Sequence, residues 1–252
     1  MKTEIHLWER YGPLFSLEER DVYPPDMKEI QFYIDLRKKY PGKCMELGAG
    51  DGRLTELLPD GSQVIALEPS ASMLGSWSSE KRKKISRIRA IAQNIPLRNS
   101  TLDLVLFPYN GIHCILERNE RKLVFREIAA VLKPGGKFFA EACPGFDNRQ
   151  DEDRKVRYDY NRNGSSVKLV ESVSHDFSRG LIVFDMEYSG SAVADGRIDI
   201  TLELALISAG ELLNDIRNEG MRVAAIWGDY DLSPWASDDS PRLLVLAERN
   251  KK

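Results

Sequence analysis

Cysteine is scarce in this chain of 252 residues: Cys44, Cys114 and Cys143 show no metal-ligand spacing and no framework of pairs. A disulfide-stapled scaffold and a Cys-rich metal site are thereby excluded, and a reduced, cytoplasmic setting is the expectation. Long apolar runs are absent as well. None approaches the ~20 residues of a membrane helix, and the opening Met1-Lys2-Thr3-Glu4-Ile5-His6 has no apolar core of a signal peptide. Positive charge is not in excess: the formal net charge is −3, which argues against a nucleic-acid partner at the level of the whole surface. The remaining composition, 42% hydrophobic and 30% charged, is that of a folded, soluble chain, long enough for one domain with its own core or one domain plus an insertion.

Two nucleotide signatures are also missing. The dinucleotide fingerprint G-x-G-x-x-G fails because a single residue, Asp51, separates Gly50 from Gly52, and no Gly-Lys-Ser/Thr phosphate loop occurs. What is present is Lys43-Cys44-Met45-Glu46-Leu47-Gly48-Ala49-Gly50-Asp51-Gly52-Arg53-Leu54: an apolar strand ending in a carboxylate, a glycine-rich turn, then helix formers. Gly48 and Gly50 permit backbone angles closed to other residues and let a ligand touch the main chain. A helix over about Arg53 to Leu58 is expected to aim its N-terminal amides at that ligand. A carboxylate pointing at such a turn suits a cationic or hydroxyl-bearing ligand better than a pyrophosphate. A second strand, Gln63 to Leu67, closes on Glu68, 22 positions after Glu46. A strand-end acid at this distance accepts ribose hydroxyls, in NAD enzymes and in other adenosine-binding proteins alike.

The run Glu46-x-Gly48-x-Gly50-x-Gly52 resembles motif I of class I S-adenosylmethionine-dependent methyltransferases, and Glu68-Pro69-Ser70-Ala71-Ser72-Met73-Leu74 resembles the segment that follows it. The resemblance covers roughly residues 28–140 and 209–248. It implies an α/β, Rossmann-like fold: a mostly parallel seven-stranded sheet whose last strand is antiparallel. S-adenosyl-L-methionine is the implied cofactor. Glu46, Gly48, Ala49 and Gly50 would face its methionine and sugar parts, Glu68 and Pro69 its ribose, and Met73 its adenine; Met73 reads equally as plain helix core. Ile88 to Leu97 resembles motif II with Ile91 where the family's aspartate stands, so Gln93 and the Ala92 backbone are the candidates for the adenine edge. Leu102 to Phe107 looks like the family's fourth strand, and Lys133-Pro134-Gly135-Gly136 like the turn before its fifth strand, Lys137 to Glu141.

Open α/β sheets bind ligands beyond the carboxyl ends of their strands. Phe107, Tyr109, Asn110 and His113 lie beyond the fourth strand, and the cofactor set therefore includes Phe107 and Asn110. His113 is either a general base, its ordinary pKa lying near neutrality, or a helix-start residue. The Asn/Asp/Ser-Pro-Pro-Tyr/Phe motif of amino-group DNA methylases is not met by Phe107-Pro108-Tyr109.

Residues 1–40 read as helical, broken at Gly12-Pro13 and Pro24-Pro25, and either pack on the sheet or form a lid in which Tyr11 resembles the cofactor-covering and catalytic tyrosine of small-molecule methyltransferases. Lys81, Arg82, Lys83, Lys84, Arg87 and Arg89 form a basic run, read as a solvated helix face. Glu120 to Leu132 is an amphipathic helix. Residues 142–165 are polar and charge-dense; three strand-like runs follow, Val167–Asp176, Leu181–Tyr188 and Arg197–Ala205. The span 142–206 is thus expected to be a β-rich insertion acting as a substrate lid, a homodimer contact or a scaffold extension. Ala209 to Asn218 forms a helix, and the last two strands follow.

Residues 1–252 are read as one methyltransferase domain. The expected activity is methyl transfer from S-adenosylmethionine to an N or O atom of a small-molecule acceptor, with no membrane partner. An RNA or protein methyltransferase, or a non-catalytic cofactor-binding protein, is the alternative.

Overall fold

The computed structural model describes residues 2–23, 26–77, 85–162, 164–237, 240 and 242–251. Central parallel strands are covered on both faces, so they read as unbroken apolar runs. β1 (Cys44–Leu47) is wholly buried, as are four of the last residues of β4 (Leu102–Phe107). With β2 (Val64–Leu67), β3 (Ser86–Ile88), β5 (Leu132–Ala142), β10 (Met221–Trp227) and β11 (Leu243–Arg249) they form a seven-stranded sheet of order β10-β11-β5-β4-β1-β2-β3. β3, β2, β1, β4 and β5 pair in parallel; β11 runs antiparallel to β5, and β10 to β11. Successive side chains of a strand face opposite layers. Val105 and Phe138 accordingly join one core with Phe125 and Ile128, while Leu104 and Phe139 join the other with Tyr33.

The helices of the two layers are α2 (Met27–Lys39), α4 (Arg118–Val131) and α5 (Ala209–Asn218). Ser208 caps α5 by accepting from the Glu211 amide, and Asp26 caps α2 by accepting from the Lys28 amide. The chain leaves β1 toward β2 and β3, then returns to β4 on the other side of β1. That reversal opens a crevice beyond the carboxyl ends of β1 and β4, the position where such sheets take ligands.

Between β5 and α5 the chain builds a four-stranded antiparallel sheet of β6 (Glu152–Arg162), β7 (Ser165–Asp176), β8 (Leu181–Ser189) and β9 (Arg197–Ala205). β6 lies within the stretch read as merely polar and charge-dense. It is an edge strand paired only with β7, and its charges and two register shifts hide the alternation. Tyr158 and Tyr160 nevertheless face the core of this sheet.

Three further readings are corrected. α1 (Lys2–Leu17) continues through Gly12-Pro13 instead of breaking there, and a π-turn over Glu18–Val22 follows it. Gly12 is needed at that place because a Cβ would stand 2.6 Å from Met73 Sδ, on α3 (Ala71–Ser76). Pro24-Pro25 lies outside the described residues. The helix expected over Arg53–Leu58 is only a 3-10 turn, Thr55–Leu57. Leu58 precedes Pro59, which disfavours the helical region for it, and it is extended at φ −67, ψ 134. Of the basic run, Lys81 to Lys84 lie outside the described residues. Arg87 and Arg89 belong to β3 and its end rather than to a helix, and they donate to the Leu74 and Pro69 carbonyls.

Candidate functional site

A cleft of about 200 Å³ lies at the reversal point of the sheet. Ten of the sequence candidates line it: Glu46, Gly48, Ala49, Gly50, Glu68, Pro69, Met73, Ala92, Gln93 and Phe107. The glycine turn is its floor. Gly48 and Ala49 donate their amides to the Leu67 carbonyl, which fixes the turn against β2. Gly50, at φ +55, donates to Glu68 Oε2 at 2.9 Å, and a Cβ there would stand 3.0 Å from Met73 Cε.

Glu68 is held from two sides, since the Ser70 amide donates to its Oε1 at 2.8 Å. Each oxygen keeps a further lone pair for a hydroxyl donor. Burial raises its pKa against the pull of those amides. Glu46, at the end of β1, accepts from the Thr55 hydroxyl. Burial pushes the Glu46 carboxyl up to about 8, opposed by Thr55 and Arg53. Glu19, Asp51 and Arg53 also line the cleft, so four carboxyl groups, that of Glu46 favoured in its protonated form, face it beside one guanidinium. A small polar ligand that carries positive charge and hydroxyl groups is complementary to that wall.

The remaining candidates lie elsewhere. Tyr11 is buried in the core between α1 and the insertion sheet, where its hydroxyl donates to Glu18 Oε2 at 3.2 Å. It does not line the cleft, although Trp8 and Phe15 of the same helix do. Asn110 follows Tyr109 in the left-handed region; its Oδ1 is buried without a partner and outside the lining. The general-base reading of His113 is corrected by its surroundings. The ring is wholly buried, Nδ1 donates to the Ala205 carbonyl at 2.7 Å, and Nε2 accepts from the Cys143 amide at 3.0 Å. With both nitrogens engaged and burial pushing the pKa down to about 4, His113 ties β4's end to β5's end and to β9.

Several residues outside the candidate set complete the site. Tyr109 contributes its ring, and its amide donates to Glu141 Oε2 at 3.1 Å. Tyr33 and Tyr230 hydroxyls donate to the same oxygen at 2.9 Å each, so a buried carboxylate on β5 holds the strained turn after β4. The position of Tyr109 at a strand's carboxyl end was a signal for it. For Glu19 there was none, because Leu17-Glu18-Glu19-Arg20-Asp21 reads as a solvated run.

Residues 45–140 match the methyltransferase domain family. Among curated proteins, the ubiquinone/menaquinone biosynthesis C-methyltransferase UbiE of Campylobacter jejuni is 29% identical over 117 residues, 43% of this chain and 48% of that protein. The chain therefore spans about half the length of the curated relatives it matches. Among solved structures, an S-adenosylmethionine-dependent methyltransferase from Clostridium acetobutylicum superposes with a TM-score of 0.78 at 16% identity, over 94% of this chain and 97% of that one. CalS10 from Micromonospora echinaspora, an amino pentose methyltransferase solved with S-adenosylmethionine bound, superposes with a TM-score of 0.72 at 16% identity and the same coverage, 94% and 97%. The seven-stranded sheet has the fold of Rossmann-like methyltransferases, and the superposition on these two structures extends over 94% of the chain.

Proposed function

We propose that this class I S-adenosylmethionine-dependent methyltransferase fold works as an enzyme that transfers a methyl group to an N or O atom of a small-molecule acceptor. One observation carries the reading: Glu46, Gly50, Glu68 and Met73 meet in a single cleft at the point where the sheet reverses order. The residues fit S-adenosylmethionine. Gly50 leaves the floor open at a place a Cβ would crowd, Glu68 retains lone pairs for ribose hydroxyls, and the Asp51 carboxylate suits a ligand with an ammonium and a sulfonium, a cation that would also draw the proton off the buried Glu46 carboxyl. When bound, that ligand supplies an electrophilic methyl carbon.

The chain's own residues have positional work to do. Glu68 and the Gly48–Gly50 turn hold the adenosine end, Glu46 the amino-acid end, and Met73, Ala92 and Gln93 border the base. Trp8 and Phe15 of α1 line the cleft, which supports reading this part of the N-terminal segment as a cover that excludes water from the cofactor. Holding two reactants in line contributes ~7–11 kcal/mol in well-oriented systems, so a dedicated base is needed only for an acceptor that arrives protonated.

The test is calorimetry with S-adenosylmethionine, S-adenosylhomocysteine and NAD on the purified protein. Micromolar binding of the first two without the third is the expected outcome; binding of NAD alone would leave only the sheet topology standing. Because the Campylobacter relative is a C-methyltransferase, mass-spectrometric localisation of the transferred methyl decides the acceptor atom.

A further inference from the structure

The π-turn after α1 carries two adjacent carboxylates that serve different places. Glu18 turns into the insertion core, where Tyr158 and Tyr188 donate to its Oε1 at 2.7 and 2.9 Å and Tyr11 donates to Oε2. Glu19 turns into the cleft. Insertions of this kind in a helix recur at functional sites. Anchored through Glu18, the turn presents Glu19 from a fixed support.

Glu19 is 7% exposed. Its Oε1 accepts from the Tyr109 hydroxyl, while its Oε2 has no hydrogen-bond donor. The nearest cation is the Arg53 Nε, 3.4 Å from Oε2. The Arg53 fork, however, is committed to Glu29 through Nη2 at 2.7 Å and Nη1 at 3.3 Å. One guanidinium therefore faces Glu19, Glu29 and Asp51, and the corner holds more negative charge than it neutralises. A buried, incompletely compensated carboxylate is costly unless a partner completes it.

Aromatic rings enclose the same corner. Trp8, Phe15 and Tyr109 all line the cleft, with Phe15 edge-on to Tyr109 at 6.0 Å and to Trp8 at 5.6 Å. A carboxylate beside aromatic rings recognises an amine and discriminates against a hydroxyl, because only the amine brings positive charge and more than one N–H; the Tyr109 face already holds the Arg53 guanidinium 4.5 Å from its centroid, so the rings left to an amine are those of Trp8 and Phe15. The corner lies at the turn after β4, where the Tyr109 hydroxyl donates to Glu19.

We propose that this corner is an amine subsite: the acceptor is a small-molecule amine, and Glu19 Oε2 accepts an N–H hydrogen bond from the nitrogen that is methylated, inside the enclosure of Trp8, Phe15 and Tyr109. This rests on the methyltransferase reading above. In the transfer, the bound ammonium first gives one proton to Glu19, and the freed nitrogen lone pair then forms the new N–C bond as the C–S bond breaks with its electron pair going to sulfur. The proton passes from Glu19 on to solvent.

The experiment compares two cofactor analogues by calorimetry: S-adenosylhomocysteine, and sinefungin, which carries an amine in place of the transferred methyl. In Glu19→Gln, which keeps the shape and removes the charge, sinefungin is expected to lose about 10-fold in affinity relative to S-adenosylhomocysteine, with folding checked by circular dichroism. Tyr109→Phe, which only releases the orientation of Glu19, is expected to show a smaller loss of the same selectivity. Equal retention of both analogues by both variants would overturn the amine subsite while leaving the cofactor reading intact. A wild-type protein that binds neither analogue would overturn the cofactor reading and the subsite with it.

Discussion

Glu68 and Glu46 end neighbouring strands, yet their surroundings give them different chemistry. Glu68 is braced by the Gly50 and Ser70 amides and offers its spare lone pairs to hydroxyls. Glu68→Ala is expected to weaken S-adenosylhomocysteine about 10–100-fold, measured by calorimetry; unchanged affinity would refute its role at the ribose. Glu46 is 3% exposed and its carboxyl titrates near 8 against an ordinary value of 4.5. In the folded protein it keeps a proton that the unfolded chain releases near 4.5. Its stabilising contribution is therefore full below about pH 4.5 and is lost as pH rises to about 8. Glu46→Gln, neutral throughout, is expected to gain melting temperature relative to the unliganded wild type between pH 5 and pH 8. A constant offset in thermal scans across that range would contradict the assignment.

At the scale of elements, the insertion sheet is tied to the parallel sheet by His113, whose ring bridges the Ala205 carbonyl at the end of β9 and the Cys143 amide after β5. His113→Ala leaves both backbone groups unpaired in a buried place and opens a cavity. A loss of about 2–4 kcal/mol in urea unfolding is expected, with S-adenosylhomocysteine affinity in the folded variant kept within a few-fold. Loss of ligand affinity at unchanged stability would restore His113 to the binding machinery. The imidazole pKa lies near 4 rather than 6.5, so its contribution is full above about pH 6.5 and declines as pH falls toward 4. The π-turn belongs to this scale too. It couples α1 to the insertion through Glu18 and to the cleft through Glu19, so one short segment joins the wall of the site to the second sheet.

For the whole molecule, the cleft is walled by β1, β2, β4 and α1 together, so a ligand there stabilises an assembly of distant segments. S-adenosylhomocysteine at 100 times its Kd is expected to add about 2.7 kcal/mol to folding. For a chain of this size that shift corresponds to roughly 5–10 °C in melting temperature, read by scanning calorimetry. No shift at saturating ligand would show that the cleft does not bind it. Among the described residues no helix is long and apolar enough to cross a membrane.

Several strands of the main sheet were legible from the amino-acid sequence because their signals are local, while the seven-stranded order came from the resemblance to class I methyltransferases. Buried parallel strands are continuous apolar runs, the glycine turn and the Pro-Gly-Gly turn are compositional, and Glu46 and Glu68 stand next to strand ends. The cleft-lining positions at strand ends, Glu46, Glu68 and Phe107, followed from the same adjacency, whereas Met73, Ala92 and Gln93 came from the resemblance to the family's motifs. What folding alone decided depends on contacts across long separations. A helix over Arg53–Leu58 yielded to Pro59, whereas α1 ran on through Gly12-Pro13 because packing on Met73 favours continuation there. β6 is an edge strand whose charges mask its pairing. Tyr11 and His113 are plausible site residues by position, but the insertion sheet draws the first into its core and locks the second between backbone groups. Glu19 stands in a run of charges that reads as solvent-facing, and only the π-turn, the Tyr109 hydroxyl 90 residues away and the commitment of Arg53 to Glu29 make it a buried carboxylate at the mouth of a site. Apolar strand runs and turn chemistry are short-range properties of the chain; which carboxylate remains without its full complement of partners is a property of the folded interior.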